Sequence, residues 1–68
     1  MDIIAIRLKE CRLQRKLSQW QVAQAIGTTT QQYQLYESGQ RLPAIKYLIA
    51  LCKFFGVESD YILGIKDY

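Results

Sequence analysis

Side chains that can recognise another molecule by hydrogen bonding are concentrated in the uncharged segment Thr29 to Leu35, which is rich in glutamine and threonine. A glutamine amide both donates and accepts, which matches the N6 and N7 edge of adenine, and a leucine packs on a thymine methyl. Such a face is suited to reading A·T-containing positions in a DNA major groove, each good bidentate contact discriminating by about 1–3 kcal/mol. Taken alone, the same residues also fit a face that is merely solvated.

Residues for covalent or acid–base chemistry are missing or dispersed. The chain has no histidine, and its carboxylates are scattered over Asp2, Glu10, Glu37, Glu58, Asp60 and Asp67. No catalytic constellation can be assembled from them, so we expect no enzyme and no cofactor. Cys11 and Cys52 lack the CxxC spacing of a zinc site, and we expect no metal. We expect reduced core cysteines; the alternative, a structural disulfide, needs an oxidising compartment.

Size and composition indicate a single domain over residues 1–68 with a core at about 3–64, because a chain of 68 residues that is half apolar can bury one small core. No apolar run is long enough to span a membrane and no signal-peptide pattern is present, so we expect a cytoplasmic protein. The net charge of +3 and the pI near 9.0 are compatible with a polyanionic partner. The first helix is the most basic segment, with Arg7, Lys9, Arg12, Arg15 and Lys16.

The elements that must position the recognition face are five predicted helices, since all four glycines mark the ends of segments. Helix one runs from about Asp2 to Arg15, with Ile4, Leu8, Cys11 and Arg15 on one face. Helices two and three run from Ser18 to Gly27 and from Thr29 to Gly39; each opens with a capping box, Ser18-x-x-Gln21 and Thr29-x-x-Gln32. Helix four carries Ile45, Leu48, Ile49, Cys52 and Phe55 up to Gly56. The last helix spans about Ser59 to Leu63 and ends at Gly64.

Helices two and three together have the layout of a helix-turn-helix. Gly27 can adopt the positive φ of a sharp turn, and Ala23 is small where the two helices should cross. With Tyr33 and Tyr36 facing inward and about 100° per residue, Gln31 and Leu35 point away from the core. Thr30 and Gln34 flank them. We therefore predict that the second of these helices enters the major groove.

A family resemblance extends from Ile4 to Gly64. The matching segments, weak individually and specific in this order, are Leu17-Ser18-Gln19, Val22-Ala23, Ile26-Gly27, Tyr36-Glu37-Ser38-Gly39, Arg41 with Pro43, and Gly56-Val57 through Asp60-Tyr61-Ile62-Leu63-Gly64. In these segments the chain resembles the Cro/repressor-type (XRE) helix-turn-helix domain of phage repressors and bacterial regulators. The resemblance implies an all-α, lambda-repressor-like bundle of five helices.

The resemblance also implies roles for individual residues. Thr30, Gln31 and Leu35 fall on family positions that touch base edges, with Gln34 beside them. The residues on or beside phosphate-contacting positions are Gln19, Thr29, Arg41 and the first backbone amides of helix four, about Ala44 and Ile45. Arg12 and Glu37 match a family pair that forms a partly buried salt bridge; the alternative is that Arg12 contacts only phosphate and Glu37 only solvent.

Three residues depart from the family pattern. Lys16 replaces a frequent glycine, so its turn must be built differently or under strain. Ala44 replaces the usual Ser or Thr N-cap, which should weaken the start of helix four by about 1 kcal/mol. Tyr33 is bulkier than the usual aliphatic residue, and its hydroxyl must reach water, a polar group or DNA.

Two apolar features are not explained by the resemblance. Trp20 lies at an outward position of helix two, where it either folds over Leu13 and the turn between helices one and two or packs on DNA sugars or phosphates. Ile6 and Leu13 lie opposite the apolar face of helix one. They are either scattered exposed residues or a docking strip for a protein partner or second protomer.

The sequence thus predicts a sequence-specific DNA-binding transcriptional regulator, and we expect it to be a repressor that acts by blocking a promoter. Its partner would be double-stranded DNA, bound as a homodimer on a pseudo-palindrome with half-sites about one helical turn apart. Activation by contact with polymerase fits the same residues. The alternative is a protein-interaction module, such as an antitoxin or anti-regulator, that uses the same fold.

Overall fold

Five α-helices make up the regular structure of the chain, for which a computed structural model describes residues 2–67. In chain order they are α1 (Ile3–Gln14), α2 (Gln19–Ile26), α3 (Thr30–Ser38), α4 (Ile45–Phe55) and α5 (Ser59–Leu63). No strand occurs among the described residues. The all-α, five-helix prediction is therefore confirmed. Met1 and Tyr68, the ends of the predicted domain, lie outside the described residues.

Helices α2 and α3 begin where their side-chain caps predict. The Ser18 hydroxyl accepts from the Gln21 amide at 3.1 Å while the Gln21 side chain accepts from the Ser18 amide at 2.8 Å, which completes the first capping box. The Thr29 hydroxyl likewise accepts from the Gln32 amide at 3.1 Å. The second half of the predicted Thr29–Gln32 capping box is wrong, because the Gln32 side chain does not accept from the Thr29 amide. It bonds elsewhere, so α3 has a single capping bond from Thr29.

The turns before and after α2 are built on residues in the left-handed region. Gly27 has φ 80°, and its amide donates to carbonyls of the last turn of α2. Lys16, between α1 and α2, has φ 56° and is the one described non-glycine residue with a positive φ. A side chain in this region brings Cβ close to the backbone carbonyl, so the Lys16 turn is strained.

All five helices contribute buried side chains to one core. Tyr33 and Tyr36, with 0% and 1% of their surface exposed, are its largest buried side chains and pack edge to face at a centroid distance of 6.3 Å. Their inward orientation was predicted from the sequence. The remaining buried apolar residues are Ala5, Leu8, Cys11, Val22, Ala23, Ile26, Leu51, Phe55 and Ile62.

Helix α4 confirms only part of its predicted apolar face, because Leu48, Cys52 and Phe55 lie in or against the core but Ile45 and Ile49 do not. Leu51 and Phe55 are buried, whereas Ile45 is 71% exposed and Ile49 49% exposed. The apolar residues of α4 surround most of the helix, so periodicity alone does not select the buried face. The neighbouring helices α2 and α5 make that selection by packing on Leu51 and its side of α4.

Arg7 of α1 and Arg15, the residue that ends this helix, both bond to the later helices. The Arg7 guanidinium donates to the carbonyls of Tyr61 and Lys66 and lies 4.4 Å from the centroid of the Tyr61 ring. The Arg15 guanidinium donates to the carbonyl of Phe55, at the end of α4. Cations at helix C-termini satisfy carbonyls that have no partner within the helix.

The sequence also led to expectations about the two cysteines, membrane-spanning helices and metal binding. Cys11 and Cys52 are free, and burial raises the pKa of both thiols. Among residues 2–67, no helix has the length and apolar character required to cross a membrane. No cluster of potential metal ligands occurs in the same range.

Candidate nucleic-acid interface

The outer face of α3 presents the four residues predicted to read bases. Gln31 and Gln34 are exposed, while Thr30 and Leu35 are half-buried, so none of the four belongs to the core. The inner face of the same helix is held by Tyr33 and Tyr36. This division follows from the helical period, which places the tyrosines and the two glutamines on different sides of one short helix.

The amides of Gln31 and Gln34 are uncommitted. Neither side chain makes a hydrogen bond with another described residue, whereas the amides of Gln19 and Gln32 are both engaged within the protein. An amide that is exposed and has no internal partner can satisfy a base edge without first breaking a bond. Gln31 and Gln34 therefore have the chemistry that direct readout requires.

Gln19, at the start of α2, is tied to the end of α3. Its side-chain nitrogen donates to Glu37 Oε1 at 3.2 Å, a bond that the sequence analysis missed because the two residues are 18 positions apart. Gln19 and Gln34 also line one cavity of about 350 Å³ where α1, α2 and α3 meet. The predicted phosphate-contacting residue thus lies beside the predicted base-reading face.

Arg12 and Glu37 form a bidentate ion pair that joins α1 to α3. Arg12 Nε lies 2.6 Å from Glu37 Oε2, and Arg12 Nη2 donates to Glu37 Oε1 at 3.1 Å. A third bond runs from Arg12 Nη1 to the carbonyl of Leu17 at 2.9 Å. The side chains are only 12% and 4% exposed. This pair therefore fixes the angle between α1, the α1–α2 connection and the C-terminus of α3.

The environment of Glu37 keeps its carboxylate ionised. Burial by itself raises the pKa of Glu37, but donors led by Arg12 outweigh it and lower the pKa below its ordinary value. The same pairing raises the pKa of Arg12. Both groups consequently remain charged throughout the neutral range, and the junction behind the recognition helix stays locked.

The Tyr33 hydroxyl lies inside this junction without a hydrogen-bond partner in bonding geometry among the described residues. Burial, followed by the neighbouring Glu37 carboxylate, strongly raises the pKa of Tyr33. The hydroxyl is thus neutral and points into the protein. Of the destinations considered from the sequence, DNA is excluded in this conformation, because Tyr33 is 0% exposed.

The predicted phosphate contacts after α3 lie on exposed backbone. Arg41 is exposed, and its Nη1 donates to Gln32 Oε1 at 3.0 Å. Ala44 provides no side-chain cap for α4, as its identity predicts. The amides of Ile45 and Lys46 consequently donate to no carbonyl of the described chain, and the first turn of α4 offers unpaired donors that favour an anion.

The Thr29 hydroxyl caps α3 and still has bonding capacity for a phosphate. Its oxygen already accepts from the Gln32 amide, but its hydroxyl proton is not used in any described bond. A threonine hydroxyl has one donor and two acceptor sites, so the cap and a phosphate contact are compatible. The role of Thr29 beside the base-reading residues stays a prediction.

The two unexplained apolar features are both at the surface. Trp20 is 56% exposed and Leu13 53% exposed. Leu13 and half-buried Ile6 line a cavity of about 420 Å³ between α1 and the end of α3, together with Ala5 and charged residues of both helices. Contact of Trp20 with DNA and docking of a protein at Ile6 and Leu13 both stay predictions.

Comparisons with known proteins bear on this geometry. A helix-turn-helix family model matches residues 8–62. Two HTH-type transcriptional regulators of Bacillus subtilis (strain 168) are similar to this chain. YqaE is 43% identical over 56 residues, which are 82% of this chain and 48% of that protein. The SPbeta prophage-derived YonR is 40% identical over 57 residues, which are 84% of this chain and 53% of that protein.

A third relative is the cryptic phage CTXphi transcriptional repressor RstR of Vibrio cholerae, which is 35% identical over 51 residues, 75% of this chain and 46% of that protein. The chain therefore spans about half the length of the curated relatives it matches.

Proposed function

The chain belongs to the XRE-type helix-turn-helix family of transcriptional regulators, and we propose that it binds a specific duplex DNA operator by inserting α3 into the major groove. The observation that carries this proposal is the pair of exposed, uncommitted amides of Gln31 and Gln34 on a helix whose opposite face is locked by Tyr33 and Tyr36. Thr30 and Leu35 complete the reading surface. Its chemistry favours A·T-containing positions.

The proposed phosphate contacts surround that surface. Gln19 and Thr29 stand at the N-termini of α2 and α3, and Arg41 and the proposed backbone contacts at Ala44 and Ile45 follow α3. Phosphate contacts set the register of a protein on the duplex while base contacts set its sequence preference. If Trp20 packs on sugars or phosphates beside Gln19, its fluorescence will change when operator is added.

Repression is the proposed outcome of binding. The similarity to a protein named as a phage transcriptional repressor supports it, as does the simplicity of blocking a promoter sterically. We further propose that two copies occupy a pseudo-palindrome whose half-sites lie about one helical turn apart, since that spacing presents the same groove face twice. Because the similar regulators come from bacteria and their phages, we propose that this chain also acts in the cytoplasm.

The test is selection of bound duplexes from a random pool, followed by affinity measurements on the selected site. We expect a symmetric site with A·T-containing half-sites. Replacing Thr30, Gln31 and Leu35 by alanine should abolish the preference for that site while leaving weak, salt-dependent binding to random DNA. Gln14→Ala, an exposed glutamine of α1, is the control and should select the same site.

The outcome that contradicts this function is equally clear. An interaction module of the antitoxin or anti-regulator kind would show no binding to random DNA whose log K falls with log salt. Unchanged site selection by the triple alanine variant would instead mean that Thr30, Gln31 and Leu35 do not read bases.

A further inference from the structure

We propose that Gln32 is a positioning residue that fixes the Arg41 guanidinium for its phosphate contact and thereby couples that contact to the register of α3. The inference rests on the proposed DNA-binding function. It adds a residue that neither reads bases nor touches phosphate in our proposal. The inference is based on two consecutive hydrogen bonds, which join Arg41 to the Gln32 amide and the Gln32 amide to the Tyr36 hydroxyl.

The direction of these bonds is determined by chemistry. A guanidinium can only donate, so Arg41 Nη1 must face the carbonyl oxygen of Gln32, at 3.0 Å. The amide nitrogen of Gln32 then points the other way and donates to Tyr36 Oη, also at 3.0 Å. Gln32 therefore links an exposed cation to a buried ring through one planar group with a single satisfactory orientation.

The anchor at the inner end of this chain is rigid. Tyr36 is 1% exposed, and its ring packs against Tyr33 of α3 and Tyr47 of α4 with centroid distances of 6.3 Å to each. The Arg41 backbone is fixed as well, because its amide donates to the Leu35 carbonyl of α3 at 3.2 Å. Both the main chain and the side chain of Arg41 are thus attached to the recognition helix.

The bond to Gln32 leaves Arg41 competent to bind phosphate. A guanidinium has five N–H donors in a rigid fork, and Gln32 occupies one side of Nη1 only. Because an exposed arginine otherwise samples many rotamers, holding it in one of them removes part of the entropy cost of binding. The protein then fixes the distance between the Arg41 guanidinium, which contacts phosphate, and the base-reading side chain of Gln31.

This arrangement explains why Gln32 does not complete a capping box with Thr29. Its side chain is extended toward residues four positions and nine positions further along the chain instead of back to the start of α3. The spacing of four between Gln32 and Tyr36 is a signal that sequence inspection can detect, since such residues are neighbours on a helix. The bond to Arg41 depends on the α3–α4 connection and has no comparable signal.

A double-mutant cycle on the selected operator tests the inference, using Gln32→Ala, Arg41→Ala and the combined variant, with Gln14→Ala as control. We expect Gln32→Ala to weaken operator binding by about three- to tenfold, and to have little further effect once Arg41 is alanine. We also expect it to weaken random-DNA binding less, because register matters only at a specific site. Thermal melting of each variant verifies that it is folded.

Side-chain ¹⁵N relaxation of Arg41 in the free protein supplies a second readout, in which Gln32→Ala should increase the motion of the guanidinium. Additive losses in the cycle would mean that Gln32 acts on DNA directly and would overturn the inference while leaving the proposed function intact. Equal Arg41 motion in the wild type and Gln32→Ala would do the same. A wild type that binds no duplex would overturn the function and this role of Gln32 together.

Discussion

At the scale of single residues, the Arg12–Glu37 pair contributes most to the geometry of the interface. Its two charges are almost fully removed from water, and each remaining polar atom of the pair has a partner in α1, α2 or their connection. Burying charges is costly, so such a pair is stabilising only while both members are present. Its main consequence is a fixed angle between α1 and the recognition helix.

We predict strong non-additivity at this pair. Arg12→Met and Glu37→Met should each lower the free energy of unfolding by about 3–5 kcal/mol, because each leaves one buried charge unpaired. The combined variant should lose much less than the sum, since no buried charge remains. Urea titration followed by circular dichroism measures all three, and additive losses would show that the two charges do not depend on each other.

Acid should weaken the fold through the same carboxylate. The folded-state pKa of Glu37 lies below its ordinary value of 4.5, so the stabilisation is complete above that value and is lost as pH falls through the folded pKa. The free energy of unfolding should therefore decline below about pH 5. Glu37→Gln should have a flatter acid profile, and identical profiles for the two proteins would exclude Glu37 as the cause.

Lys16 is a residue at which the fold can be improved. We predict that Lys16→Gly raises the free energy of unfolding by about 0.5–1 kcal/mol, because about 1–2 kcal/mol of left-handed strain exceeds the entropy cost of glycine, about 0.5–1 kcal/mol. Gly56→Ala is the matched reverse change, since Gly56 has φ 71° and open space around its added Cβ. It should lose about 1 kcal/mol. Changes of the same sign in both variants would contradict the strain.

At the scale of elements, the helix starts differ in how completely they are capped. Helix α2 has a full capping box, α3 has one capping bond, and α4 has no side-chain cap. The same deficiency leaves donors free at the start of α4, where a phosphate is proposed to bind. Stability and anion binding therefore compete for the same backbone amides.

We predict that Ala44→Ser stabilises the free protein by about 1 kcal/mol, because Ala44 already has the extended backbone of an N-cap, with φ −61° and ψ 158°. Thermal or urea unfolding measures the gain. Ala25→Ser, the same substitution at an exposed position inside α2, is the control and should be slightly destabilising. An equal effect at both sites would mean that the serine does not cap α4.

At the scale of the whole molecule, the positive charge is divided between internal and external uses. Arg7, Arg12 and Arg15 satisfy carbonyls or a carboxylate within the fold, so these three arginines are engaged internally and add little to a DNA-binding patch. Arg41 and Lys46, by contrast, are exposed on the side where α3 ends and α4 begins. The net charge of +3 thus says less about DNA binding than the position of a few cations.

The salt dependence of DNA binding should distinguish the internal cations from the external ones. We predict that Arg41→Gln reduces the slope of log K against log salt by about 0.9, the value for one lost phosphate contact. Arg7→Gln should leave the slope unchanged while lowering the melting temperature, because Arg7 holds the end of α5. A changed slope for Arg7→Gln would mean that α1 contacts DNA after all.

The helices and their ends were predictable from the sequence because their signals are local. Ser18 and Thr29 cap backbone amides three positions away, Gly27 permits the turn that follows α2, and the period of α3 places Tyr33 inward and Gln31 outward. These interactions involve residues close together in the chain, so their geometry follows from the helix itself.

Only the tertiary structure decided how the polar side chains pair and which face of α4 is buried. Gln19 with Glu37, Gln32 with Arg41 and Arg7 with Tyr61 are linked across the fold, and Ile45 is exposed although its spacing suits a core position. A donor or an apolar side chain has many acceptable partners along the sequence. The packing of helices selects one of them, because only folding brings distant residues within bonding distance.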